Sequence, residues 1–178
     1  MKYTATPLKD CWLITPQLIE DKRGSFMEAF QKESFSAQIG LVNFIQDNEA
    51  QSSYGVIRGL HFQEGSSAQA KLVRVLQGRI IDIVVDLRPS STTYMQQFRI
   101  ELSAENKQQL FVPKGFAHGY AVVSERATVL YKVDAPYAPK SVGGISPRDL
   151  QFSFDWEIPL EQQKINDRDL NWPKYVKA

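Results

Sequence analysis

The sequence is poor in most of the features that announce a chemistry by themselves. It holds one cysteine, Cys11, so no disulfide closes within the chain and no four-thiol zinc site can be assembled. A lone thiol suits a reducing compartment, and the cytoplasm is the expected address. No apolar run is long enough for a signal peptide or a membrane span, because residues 1–24 carry charges and prolines throughout. An excess of one charge is also missing: 21 basic against 20 acidic side chains give a net charge of +1, with no basic run. That balance argues against nucleic-acid binding driven by counterion release and leaves any anionic ligand to a few placed cations. There is no Gly-x-Ser-x-Gly elbow, no Gly-x-Gly-x-x-Gly turn and no P-loop, so the commonest nucleophile, dinucleotide and nucleoside-triphosphate sites have no fingerprint. Histidine occurs only twice, at His61 and His118.

What is present is a β pattern. At 178 residues the chain is expected to form one domain over 1–178, able to bury ~70% of the surface its unfolded form exposes. No repeat and no linker interrupts it. Short β-rich runs between turn signals from residue 42 to 133 imply a sandwich or barrel and not βαβ units. In the run LVRVLQGRIIDIVVDLRP, two apolar stretches flank Gln77-Gly78-Arg79, which reads as a hairpin connection. Alternation places Ile81, Ile83, Val85 and Leu87 on one packed face, and Asp82, Val84 and Asp86 on a partly polar one. Further strands are expected over 97–102, 109–113, 119–123 and 128–133, with short peripheral helices over 33–39 and 160–170.

The two histidines lie in β-rich segments beside glycine, where the residue type alone fits a core or rim role as well as a catalytic one. By alternation His61 and Gln63 share a face, whereas Arg58 points away unless the strand is bulged. Gly59 makes that bulge cheap. Arg58, His61 and Lys71 would then meet on one concave surface; the alternative is a solvated Arg and Lys on a rim. The stretch Pro113 to His118 fits Pro-x-Gly-x-x-His, the second signature of cupin barrels. Cupin metal sites usually add a His-x-His pair, yet His61 is followed by Phe62 and Gln63, so no metal is expected. What remains is acid–base work, in which a histidine base, a tyrosine acid and a lysine beside an oxyanion would suit proton abstraction next to a carbonyl.

Six segments in order carry a resemblance over nearly the whole chain: DKRGSFMEAF (21–30), FIQDN (44–48), GVIRGLHFQ (55–63), AQAKLVRVLQGRIIDIVVDLRPSS (68–91), LSAENKQQLFVPKGFAHGYAVVSE (102–125) and LYKV (130–133). On these the sequence resembles the dTDP-4-dehydrorhamnose 3,5-epimerases and their relatives, epimerases of nucleotide-linked keto-sugars that work without a cofactor. The resemblance implies an all-β jelly-roll cupin and a homodimer whose N-terminal segments exchange. It implies His61 as general base, paired with Asp169 as the first choice and Asp167 as the alternative, Tyr131 as the acid on the opposite face, and Lys71 as the cation at the C4 carbonyl. Arg58, His118, Gln46, Asp47, Asn48 and Arg168 match substrate-binding positions, as do Arg23 and Glu28, which would reach the neighbouring subunit's site. Tyr137 matches a stacking position for the nucleoside. Asp82 matches a polar position beside the base, open between a structural carboxylate and a direct role.

Two departures stand out: Val142 occupies the place of a substrate-contacting glutamate, and Arg168 that of a lysine. The expected partner is a dTDP-linked keto-deoxysugar, epimerised at C3 and C5. Its rivals are a C3-only epimerase or ketoisomerase of a related sugar, a metal-dependent oxygenase, and a non-catalytic sugar-nucleotide-binding cupin.

Overall fold

The computed structural model describes residues 1–175. Its strands are β1 (Lys2–Ala5), β2 (Trp12–Thr15), β3 (Ile19–Asp21), β4 (Gly24–Phe26), β5 (Gln46–Ser53), β6 (Ile57–Gln63), β7 (Lys71–Gln77), β8 (Arg79–Asp86), β9 (Gln97–Ser103), β10 (Gln109–Val112), β11 (Phe116–Val122), β12 (Arg126–Val133) and β13 (Val142–Gly144). Two helices accompany them, α1 (Lys32–Gln38) and α2 (Asp167–Leu170). One sheet runs β1-β2-β10-β7-β12-β5 and a second β13-β6-β11-β8-β9, while β3 and β4 form a separate two-stranded ribbon. Every pairing within the sheets is antiparallel, and consecutive strands often lie in different sheets, which is the connectivity of a jelly roll.

Three apolar layers hold this arrangement. Between the sheets lie Val73, Val75, Val84, Leu110, Phe116, Val122 and Val129. The outer face of the first sheet buries Ile14, Leu72 and Phe111 under Phe35 of α1. The outer face of the second buries Ile57, Leu60, Ile81, Ile83 and Val85 under Ile145, Phe152, Trp156 and Ile158. With both faces covered, a strand is buried at nearly every position, as β8 is from Ile80 to Asp86. The alternation expected for β8 is correct, and its partly polar face is buried as well. It points into the barrel, where Asp82 and Asp86 are fully buried. Asp86 accepts from Ser91, Thr93 and Arg88, which tie the following loop to the strand.

Two expectations need correction. Gln77-Gly78-Arg79 is not a hairpin turn: β7 pairs with β10 and β12, β8 pairs with β9 and β11, and the chain crosses between sheets at Gly78. There φ is +75° and a Cβ would overlap the carbonyl of Arg126. A glycine turn between apolar runs looks the same in sequence whether the strands pair or change sheet. The helix expected over 160–170 is two short pieces, a 3₁₀ turn at Leu160–Gln162 and one turn of α2. The stretch between them runs beside the start of β6, where Ile57 N–H donates to Lys164 O at 3.0 Å and Lys164 N–H to Gly55 O at 2.8 Å. The helix expected over 33–39 is present as α1.

Candidate active site

The cavity opens at one end of the barrel between the two sheets. One hollow of about 190 Å³ is lined by Arg58 and His61 of β6, His118 and Tyr120 of β11, Ala50 of β5, Lys71 of β7, Tyr131 of β12, and Asn166, Arg168 and Asp169 around α2. An adjoining hollow of about 120 Å³ shares His61, Lys71, Tyr131 and Arg168 and extends to Gln69, Tyr137 and Val142.

Arg58 and His61 share a face because β6 is bulged. Against β11, His61 stands opposite His118 and Arg58 opposite Tyr120, so three residue steps on one strand match two on the other. Ile57 and Leu60 consequently both point outward into the core. Gly59 sits in the bulge with φ +109°, where a Cβ would lie 2.6 Å from His118 O and 2.7 Å from Gly119 Cα. Only glycine fits there.

Of the two carboxylates that the sequence leaves open as the partner of His61, Asp167 is exposed, whereas Asp169 is fully buried with Oδ1 2.6 Å from His61 Nε2. Asn166 builds this contact by capping α2: its Oδ1 accepts from Asp169 N–H at 2.7 Å and its Nδ2 donates to Asp169 Oδ2 at 3.2 Å. The Gly59 N–H donates to the same Oδ2 at 3.2 Å. Burial alone would raise the Asp169 carboxyl. The His61 hydrogen bond and charge, with Gly59 and Arg168, more than offset it and hold the group below the usual range. Asp169 therefore stays ionised and fixes the proton on Nε2, which leaves Nδ1 of His61 as the basic nitrogen. Arg168 lies beside the pair, with Nε 3.5 Å from Asp169 Oδ1 and its guanidinium over the Trp172 ring.

Across the cavity, the Lys71 ammonium makes no hydrogen bond or ion pair among the described residues. Burial pushes its ammonium down to about 8, and the charge of Asp82 opposes the fall. Burial also raises the Tyr131 hydroxyl, opposed by Arg58. His118 Nε2 lies 2.9 Å from Asp82 Oδ2, and Asp82 stands fully buried without lining the cavity itself. Arg58 Nε donates to Ser52 Oγ at 3.0 Å.

The remaining expected residues are spread more widely. Tyr137 is 61% exposed at the rim of the second hollow. Its loop is pinned by Gln63, which donates to Pro136 O at 3.1 Å and accepts from Ala138 N–H at 2.8 Å. Gln46 and Asn48 continue the β5 face that carries Ala50 and Ser52, joined by a 2.7 Å hydrogen bond. Asp47 alternates to the other face and pairs with Lys132 Nζ at 2.9 Å, away from the cavity. Arg23 projects from the β3–β4 turn, paired with Asp21, and Glu28 lines a separate hollow with Ile19 and Phe26. Tyr120, Asn166 and Gln69 line the site without having been singled out by sequence. Tyr120 reads as a core aromatic and Asn166 as an ordinary loop residue, while Gln69 carries no signal at all.

No three His, Cys, Asp or Glu side chains among the described residues converge as metal ligands. The cavity at the mouth of this jelly-roll cupin carries a histidine held by an ionised carboxylate on one wall and a phenol and an ammonium on the other.

The family model described as dTDP-4-dehydrorhamnose 3,5-epimerase matches residues 5–177. A Shigella flexneri dTDP-4-dehydrorhamnose 3,5-epimerase is 40% identical over 179 residues, covering 100% of this chain and 98% of its own. The crystal structure of the enzyme of that name from Elizabethkingia anophelis superposes with a TM-score of 0.96 at 48% identity, covering 98% of this chain and 96% of that one. A dTDP-6-deoxy-D-glucose-3,5-epimerase of Legionella pneumophila, solved in complex with dTDP-4-keto-L-rhamnose, superposes at 0.89 with 37% identity, covering 98% of each chain. The chain belongs to the dTDP-4-dehydrorhamnose 3,5-epimerase family, a family of isomerases.

Proposed function

We propose that the protein converts dTDP-4-dehydro-6-deoxy-D-glucose to dTDP-4-dehydro-L-rhamnose by epimerising C3 and C5. The observation that carries this reading is the placement of His61 and Tyr131 on opposite sheets of one cavity, with Lys71 beside Tyr131. Inversion requires a base on one face of the carbon and an acid on the other. His61 Nδ1 takes the proton α to the C4 ketone, Asp169 stabilises the imidazolium formed, and Tyr131 returns a proton to the opposite face.

A ketone α-proton and an imidazole differ by about ten pKa units, so ~14 kcal/mol must come from enolate stabilisation and positioning. Lys71, charged at neutral pH and poorly solvated, is the group to meet the enolate oxygen. Repeating the cycle at the second carbon α to the same ketone gives the double epimerisation.

Arg58 supplies a bidentate guanidinium for the diphosphate without any net basic charge, and Tyr137 an exposed ring for the nucleoside. Gln46 and Asn48 extend the polar wall, and Arg168 closes it over the His–Asp pair. Arg23 and Glu28 belong to the neighbouring site of a homodimer. Among the described residues the β3–β4 ribbon has no other strand beside it and leaves Ile19 58% and Phe26 65% exposed, an apolar face suited to a second copy. The cytoplasm, where a nucleotide sugar would be met, fits the single buried thiol of Cys11.

Incubation with dTDP-4-dehydro-6-deoxy-D-glucose in D₂O, followed by proton NMR, tests the reading. Deuterium should enter at both C3 and C5 with inversion at each. Exchange at C3 alone would make the protein a single epimerase, and exchange at neither would end the proposal.

A further inference from the structure

Tyr120 stands on β11 opposite Arg58 across one strand pair and opposite Asp82 across the other, and it lines the cavity. Its ring is part of the layer between the sheets and only 5% of the residue is exposed. Phenylalanine would fill that space equally well. The hydroxyl, however, is buried with no hydrogen-bond partner, which is a costly state for a polar atom in a cavity wall. Burial pushes this phenol up to about 12, against the charge of Arg58 and with Tyr131 and Asp82 adding to the rise. Ser52 opposes the rise as well, without reaching hydrogen-bonding geometry. Tyr120 is therefore a firm donor at any working pH.

Its position limits what it can do. It lies on the same sheet as His61, so it is not placed to protonate the face opposite the base. Among the described residues the terminal nitrogens of Arg58, directly across the strand pair, also make no hydrogen bond. Two sets of unused donors therefore sit on one rung of the barrel wall.

We infer that Tyr120 is a substrate-binding residue, its hydroxyl donating to an acceptor oxygen of the sugar nucleotide that Arg58 holds from the neighbouring strand. This rests on the epimerase reading above. The acceptor is either a diphosphate oxygen or an oxygen of the sugar ring, which two ligands separate.

The test is Tyr120→Phe, assayed for epimerisation, for dTDP affinity by calorimetry and for thermal stability. KM for the sugar nucleotide should rise about ten-fold, the worth of one hydrogen bond to a strong acceptor, while Tm stays at or above the wild-type value because an unpaired buried hydroxyl is gone. An equal loss of dTDP affinity assigns the oxygen to the diphosphate, and unchanged dTDP affinity assigns it to the sugar. A KM within two-fold of wild type with dTDP affinity unchanged, or a fall in Tm without any change in binding, would overturn the inference. Wild-type protein that binds dTDP but exchanges no deuterium would instead defeat the epimerase reading alone.

Discussion

Replacing Asp169 by Asn tests the His–Asp pair without changing its shape. Asp169 Oδ2 accepts from Gly59 N–H and from Asn166 Nδ2, and Asn166 cannot turn its amide over because its Oδ1 is held by Asp169 N–H at 2.7 Å. An asparagine amide must therefore direct its oxygen toward those two donors and its NH₂ toward His61 Nε2. That reverses the imidazole tautomer and puts the proton on Nδ1, the atom that has to accept one. The charge is lost as well: an ion pair with its centres about 4 Å apart is worth ~4 kcal/mol at an effective dielectric constant near 20. Together these effects should lower kcat by about a thousand-fold. KM should move little, since neither oxygen faces the ligand. Single-turnover exchange of substrate protons in D₂O measures the step directly. A variant within ten-fold of wild type, or one whose loss lies entirely in KM, would refute the tautomer argument.

Four other outcomes are expected. Because burial holds Lys71 down to about 8 in the ligand-free fold, against its ordinary 10.5, kcat/KM should fall as pH rises through about 8 and the ammonium is lost, and Lys71→Arg should move that alkaline limb upward. The same depression means that the unfolded chain binds the extra proton between about 8 and 10.5, so this group's contribution to stability rises with pH over that window; Lys71→Met should remove the rise in denaturant titrations. Tyr131→Phe should keep base-driven exchange of substrate protons while productive inversion drops, and equal loss of both would count against the acid role. Gly59→Ala should destabilise the protein by about 3 kcal/mol in urea unfolding, because the bulge needs φ +109° and the Cβ would press on the β11 backbone.

The sequence disclosed chemistry more readily than connectivity. Alternation sorted the side chains of β8 correctly, since the pleat is a local property. The crossing at Gly78 was not legible, because which sheet receives the next strand is decided by packing far from the turn. The bulge at Gly59 was readable as a condition: only an extra residue there brings Arg58 and His61 together, and the register shows that extra residue. Asp169 and Asp167 have the same side chain two positions apart. What separates them is the direction of a one-turn helix set by the Asn166 cap, a feature with no periodicity to detect. Tyr120 gives no sign in the sequence because its ring satisfies the core pattern, and only the fold shows that it lines the cavity and that its buried hydroxyl has no partner. The ligand's identity was carried by the resemblance, since no spacing of residues spells out a dTDP-linked sugar.

The most direct measurement is His61→Asn with dTDP-4-dehydro-6-deoxy-D-glucose in D₂O, watched by proton NMR beside a calorimetric titration with dTDP. Loss of deuterium entry at both C3 and C5, with dTDP affinity held, is the result expected if this imidazole is the base. Continued exchange at either carbon would place the base elsewhere.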